Sequence, residues 1–509
     1  MHLSSIGTRL AVVAAIAAGA IALHARAAIP ADAQSPSSAV SRASTATNLI
    51  ATADARFDLM VLRTALSEAH PSLYRYRSKP EIDAAFDRAF AALDHDVSPL
   101  DAYAVFSEAV AAIGDGHTRI VPSKPLAASI AAAKRFPLAL FFARGRAFVR
   151  TGSGDVARGT EILAIDGTPM PAILASIFRR LPADAGSSAA KFARMQYAFA
   201  RDYAAFVGSP DRFAVDLALA DGTRSHALLD AASPAAAPPA SPAPASPAPA
   251  TTSPNSKQLR LEIVSRKRIA VLTLSTFAEG LIAEGGQRFP AFIDDAFREI
   301  RASGTRDLVI DLRGNDGGDA YGPLLYSYLA ARPFRVFARA ETASRDLGFI
   351  RNYSKLDESF LRDFAARLTP AANGRFRARD SAEIPLAPQR ARAAYAGHVW
   401  ILIDGDVFSA AAEFCAVARV NGRARFIGQE TGGALAGNAS GDFVVLTLPH
   451  SGMWLQLPLI EFVTAAPAGT TLTAGGIRPD VPVDPSPEEI LRGDDPTMSE
   501  ALRQIARSR

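Results

Sequence analysis

Cysteine is nearly missing from this chain: among 509 residues there is one, Cys415, which excludes an internal disulfide framework and any paired-thiolate metal site. A single thiol inside an apolar helical pattern reads as a small core residue and not as a nucleophile. Lysine is absent after Lys355. Neither sign of charge dominates, since the formal net charge is only +4 and the basic residues cluster only at Arg266, Lys267 and Arg268, a solvated turn. That excludes a nucleic-acid or membrane-surface role as the main reading. Long apolar runs are lacking too. The run at residues 10–23, preceded by Arg9, is too short to span a bilayer but suits the core of a signal peptide, with small-residue cleavage positions at 25–27 and 31–33. The expectation is an exported protein, periplasmic or secreted, with residues 1–33 as signal peptide and no stable membrane insertion after cleavage. There is no His-Glu-x-x-His helix and no Gly-x-Gly-x-x-Gly turn after a strand, so neither a metal nor an organic cofactor is expected.

What is present is apolar enough, at 49% hydrophobic and 21% charged, to bury sizeable cores. Two stretches carry chemistry. In the first, an apolar run at 398–403 closes on Asp404 and Gly405 and opens into a helical pattern that begins at Ser409. A serine there sits among free N–H groups at the positive end of a helix, which suits an oxygen that becomes negative during acyl transfer. Serine is also a preferred helix cap, so the same residue can be purely structural. The second stretch, 308–319, is again a buried strand opening into a turn, with Gly317 and Gly318 able to take backbone angles that aim N–H groups at one point.

Together these segments resemble the S41 peptidase family, the tail-specific or C-terminal processing proteases. The match runs through Asp-Leu-Arg-x-Asn-x-Gly-Gly at 311–318, Ser-Ala-x-x at 409–412, Gly-x-x-Thr-x-Gly at 428–433 and a closing Gly-x-x-Pro-Asp at 476–480. The resemblance implies Ser409 as nucleophile, with the N–H groups of Gly317 or Gly318 and of Ala410 as oxyanion donors. It also implies an α/β fold with a ClpP/crotonase-like core. Many family members use a lysine base just after the Thr-x-Gly motif; here that place reads Gly432, Gly433, Ala434. The Ser–Lys dyad is therefore absent. The histidine-using, tricorn-core-like branch has an Asp-x-His-Thr segment after its N-terminal helices, and Asp115, Gly116, His117 and Thr118 fit it. By that resemblance His117 is general base and then general acid. His70, His398 and His450 read as structural. The acid that would orient His117 is open: the tricorn-like glutamate would fall at 473–476, where there is none, leaving Glu430, ahead of Asp115, as candidates. Asp311 and Arg313 read as braces of the oxyanion turn.

Around this core the chain divides into a flexible spacer at 34–48, an N-terminal helical unit at 49–120, an inserted β unit at 121–230, an Ala-, Pro- and Ser-rich linker at 231–256 and the S41 catalytic α/β core at 257–509. The strand and turn at 161–169 resemble part of a PDZ domain, which would bind peptide at a sheet edge; a purely structural β unit fits equally well. The functional expectation is an exported serine-type peptidase acting on polypeptide or peptide. A non-catalytic binding protein on the same fold and an esterase are the alternatives.

Overall fold

Three helices open the described chain: α1 (Thr52–Ala69), α2 (Lys79–Ala92) and α3 (Pro99–Ala111). Ser78 and Glu81 form a capping box at the start of α2, and the Ser98 hydroxyl accepts the Asp101 N–H at the start of α3, so each helix begins where its polar signal stands. Leu59, Leu62, Leu66, Phe86 and Phe106 on these helices are buried in the same hydrophobic core as the strands farther along the chain. The helical unit is thus packed into the C-terminal region and has no core of its own. Just beyond α3, Gly114 turns the chain at φ +78°, and strand Arg119–Val121 pairs antiparallel with Trp454–Leu457. The structure is a computed structural model that describes residues 49–233, 257–392 and 394–508. The signal peptide, the spacer and most of the Ala-, Pro- and Ser-rich linker read from the sequence lie outside those residues.

The inserted unit is an antiparallel sheet in the order 140–143, 146–149, 161–165, 212–218, 224–230, with the short strand 168–169 on 161–165. Its core is separate and aromatic: Phe136 meets Phe199 and Phe213 edge to face, and Tyr203 packs beside them. Helix α4 (Ser188–Phe206) supplies Met195, Phe199 and Tyr203 to that core. Its first turn reaches away from it, because Ala189 and Ala190 pack directly on Gly405 and Gly432 of the C-terminal region. Helix α4 thus contacts both units.

The C-terminal region is built on a six-stranded sheet in the order 481–482, 425–428, 398–403, 307–311, 269–274, 259–264, parallel except for the last strand. Strand Asp307–Asp311 is buried along its whole length, as expected of a parallel strand covered on both faces. Leu308 and Ile310 face the large core with α5 (Phe289–Ala302) and α6 (Ser409–Val420), while Val309 joins Trp400, Leu402 and Ile427 under α7 (Pro496–Arg507). The strand's period of two thus sorts its residues between two layers. A second sheet runs in the order 368–370, 376–378, 337–342, 460–464, 439–440. The important consequence is positional. The turn 312–319 and the loop 404–409 leave the C-terminal ends of adjacent parallel strands, where open α/β sheets place ligands.

Candidate active site

Ser409 stands at the first position of α6 with φ +47°, in the left-handed region. A non-glycine residue held there costs about 1–3 kcal/mol and persists only where the surroundings impose it. The surroundings are visible. Phe408 donates its N–H to the Asn315 carbonyl at 3.2 Å, Gly433 donates to the Val407 carbonyl at 3.1 Å, and the Asp404 carboxylate accepts from Gly314 and Asp406, each at 3.1 Å. The nucleophile loop is therefore tied on both sides, to the oxyanion turn and to the turn after strand Arg425–Gly428.

The oxyanion turn is set by Asn315, whose side chain is fully buried. Its Nδ2 donates to the Leu274 carbonyl at 2.9 Å and its Oδ1 accepts the Gly317 N–H at 3.0 Å. That bond changes one expectation: the Gly317 amide is already engaged. The amides of Gly318 and Ala410 have no protein acceptor among the described residues. Gly317 contributes space instead. Its φ is +101°, and a Cβ there would stand 2.7 Å from Ser409 Cβ. Arg313 braces the turn as expected, chelating Asp311 through Nε at 2.8 Å and through a terminal nitrogen at 2.6 Å. It also grips Asp495, the cap residue of α7, at 2.8 and 3.0 Å.

His117 arrives from the loop between α3 and strand Arg119–Val121. Its main chain is fixed at both ends, the N–H donating to Asp115 Oδ1 at 2.8 Å and the carbonyl accepting from Gln456 Nε2 at 3.2 Å. The imidazole stacks on Phe408 with ring centres 4.4 Å apart and tilts toward Phe443. Gly116 is required for this, because a Cβ there would be 2.7 Å from the Phe408 ring. The result is the central contact: His117 Nε2 lies 3.1 Å from Ser409 Oγ across 292 residues of sequence. Burial lowers the imidazole pKa to about 4, with Asp115 opposing and Arg119 adding to the shift. The ring is neutral, and able to accept a proton, over nearly the whole working range.

Of the two acids considered as partners for His117, Glu430 is not brought to it. One of its oxygens accepts the Gly476 N–H at 2.9 Å and the other lies 3.6 Å from Arg478, so it pins the closing segment. Asp115 is close, with Oδ1 4.0 Å from His117 Nδ1, too far for a direct hydrogen bond. Its Oδ2 instead meets His70 Nε2 at 2.8 Å and the Thr118 hydroxyl at 3.0 Å. Ser72 donates its N–H to His70 Nδ1 at 3.2 Å, which leaves the proton on Nε2 and directs it at Asp115. Burial pushes the Asp115 carboxyl up, but the His70 hydrogen bond leads the contacts that hold it below the ordinary value.

Two members of the cluster had no sequence signal. His70 is, as read, the residue that ends α1, yet its ring also belongs to the site. Asp184 lies in the connection before α4, is almost wholly buried, and accepts from the Gly116 N–H at 2.9 Å and the Ala434 N–H at 3.2 Å. Burial, then the charge of Asp115, raises its pKa to about 7. A ring nitrogen of His117 and one oxygen each of Asp115 and Asp184 lie within 4.8 Å of one another. A cation at Nδ1 would force the ring proton onto Nε2 and deprive Ser409 of its acceptor, and the carboxylates already accept five N–H or O–H contacts. The donor set suits proton handling better than metal ligation.

Residues 268–483 match the family described as Peptidase family S41. Over that stretch the chain is similar to this family. The match takes in the oxyanion turn, Ser409 and the closing segment, and leaves His117, Asp115 and Asp184 upstream of it. No curated protein sequence matches the chain. Among solved structures, the crystal structure of mature CPAF superposes with a TM-score of 0.60 at 16% identity, covering 89% of this chain and 96% of that one. The structure of mature CPAF complexed with lactacystin gives 0.60 and 16%, over 89% and 97%. At that identity the likeness is one of fold, and it extends over the helical and β units as well as the stretch that matches the family.

Proposed function

We propose that the protein is an exported serine-type peptidase of the histidine-using kind, in which Ser409 attacks the scissile carbonyl while His117 takes its proton. The observation that carries this reading is the 3.1 Å contact between His117 Nε2 and Ser409 Oγ, made by a serine with φ +47°, with the amides of Gly318 and Ala410 left without a protein acceptor among the described residues. A serine merely capping a helix needs no left-handed backbone and no buried imidazole on its oxygen. The tetrahedral oxyanion would be held by those two amides; His117 then protonates the leaving amine, and water releases the acyl-enzyme by the reverse sequence. Export rests on the apolar run at 10–23 and the small residues that follow it. The PDZ-like reading of the inserted unit rests on the strand and turn at 161–169. The test is covalent labelling by a fluorophosphonate, read by intact mass, on the wild type beside Ser409→Ala and His117→Ala. Labelling at Ser409 that both substitutions abolish is the expected result. A folded wild type that takes up no label would overturn the reading in favour of a binding protein on this fold.

A further inference from the structure

The imidazole of His117 is satisfied on one side only. Nε2 meets Ser409, whereas Nδ1 is buried and has no hydrogen-bond partner in the protein. A buried ring N–H left unpaired costs about 1–3 kcal/mol, so something of suitable chemistry is expected on that face. Asp115 Oδ1 lies 4.0 Å from Nδ1, and an oxygen of Asp184 lies within 4.8 Å of a ring nitrogen of His117 and of an Asp115 oxygen.

We propose that Asp184 is a positioning residue for His117, acting jointly with Asp115 through one water molecule held between the two carboxylates and Nδ1. Geometry supports this first. A ring nitrogen of His117 and one oxygen of each carboxylate lie within 4.8 Å of one another, and Asp115 Oδ1 is 4.0 Å from Nδ1 itself, spacings that one water oxygen at about 2.8 Å from each group can bridge. Hydrogen-bond bookkeeping supports it second. A buried water makes about three bonds; this one accepts from Nδ1–H and donates one proton to Asp115 and the other to Asp184, leaving no group unpaired. The arrangement fixes the tautomer, because a proton on Nδ1 leaves the Nε2 lone pair free for the Ser409 hydroxyl. When that proton arrives, the imidazolium is faced by both carboxylates through the shared water. Asp184 also has the right anchorage for the task. It accepts from Gly116, next to His117, and from Ala434, after the Thr431–Gly433 turn, so it fixes the base relative to the loop that packs on Ser409.

This inference rests on the serine-peptidase reading, but one consequence separates them. The groups that face Asp184 are Asp115, His117, Arg75 and Tyr76, with the Gly116 and Ala434 amides. With Asp184 ionising near pH 7 and His117 near 4, acylation by the wild type should rise through two inflections, the upper belonging to Asp184.

The experiment measures the fluorophosphonate labelling rate from pH 4 to 9 for the wild type, Asp184→Asn and Asp184→Glu, with 15N-histidine spectra of the same proteins. Asp184→Asn is expected to lose about tenfold or more at pH 8, to lose the inflection near 7, and to show His117 as a mixture of tautomers. Asp184→Glu should recover part of the rate. A uniform loss at every pH with the His117 Nδ1–H tautomer intact would mean a merely structural carboxylate and overturn the inference, as would an unchanged profile. A wild type that does not label at Ser409 defeats the peptidase reading alone. The spectra still decide Asp184, whose role fails if wild-type His117 carries its proton on Nε2.

Discussion

Gly317 and Ser409 touch backbone to side chain: a Cβ on residue 317 would stand 2.7 Å from Ser409 Cβ and 3.0 Å from the Ala410 nitrogen. The glycine is there for room as much as for its φ of +101°. Gly317→Ala must push the oxyanion turn away from the nucleophile or drive Ser409 out of its left-handed conformation. Either movement would change how the proposed oxyanion donors, the Gly318 and Ala410 amides, stand to Ser409 Oγ. Losing one oxyanion donor typically costs about 100-fold or more in rate. Gly317→Ala should therefore lose acylation on that scale, measured as fluorophosphonate labelling. Circular dichroism should show the fold intact, since the clash is confined to a turn at the end of the sheet.

The depressed pKa of His117 has burial as its main cause, and Phe408 is the ring stacked on it at 4.4 Å. Phe408→Ala would admit water to that face and let the imidazole move up from about 4 toward the ordinary histidine value near 6.5. A base is useful only when unprotonated, so the acid limb of the labelling rate should shift upward by about one unit or more. Loss should be large at pH 5 and small at pH 8. A rate profile of the variant against pH checks this. An acid limb that does not move would show that the surrounding fold, and not this ring, sets the burial.

How much of this was legible in the sequence depends on the range over which each feature is determined. The helix that begins at Ser409 after the apolar run 398–403 and the buried strand that opens into the turn at 308–319 follow from local pattern and were readable. So was the pairing of Ser409 with His117, though only because both lie in motifs of a resembled family; 292 intervening residues carry no physical signal of contact. His70 and Asp184 show what local reading misses. Each is a single polar residue at an element's end, and its role comes from packing against Asp115 and Gly116. Glu430 fails for the complementary reason. It neighbours the Thr431 turn in sequence, but its oxygens are taken by Gly476 and Arg478, which the chain brings back only at its closing segment. The engaged Gly317 amide was equally hidden, because the acceptor is the Asn315 side chain of the same turn.

The nucleophile loop also carries a cost in stability that pH should reveal. Asp406 lies between Asp404 and Asp316, and burial, followed by the charges of those two, raises its pKa well above the ordinary carboxylate value. Asp404 is raised as well, to about 6, by burial, although the Gly314 N–H, Arg313 and the Asp406 N–H partly offset the shift. Tyr197, from α4, also feels the Asp406 charge. A carboxyl whose folded pKa exceeds its unfolded value binds more protons when folded. Its favourable contribution is complete below about pH 4 and is lost as pH rises through the folded value. The loop should therefore be most strained above neutrality, where these acids must ionise side by side. Asp406→Asn keeps the shape and removes one charge. Its Tm should equal that of the wild type at pH 4 and exceed it by several degrees at pH 8, by about 4 °C for each kcal/mol at most in a chain of this size. Calorimetry at the two pH values decides the matter; a gain of equal size at both would assign the strain to packing instead of charge.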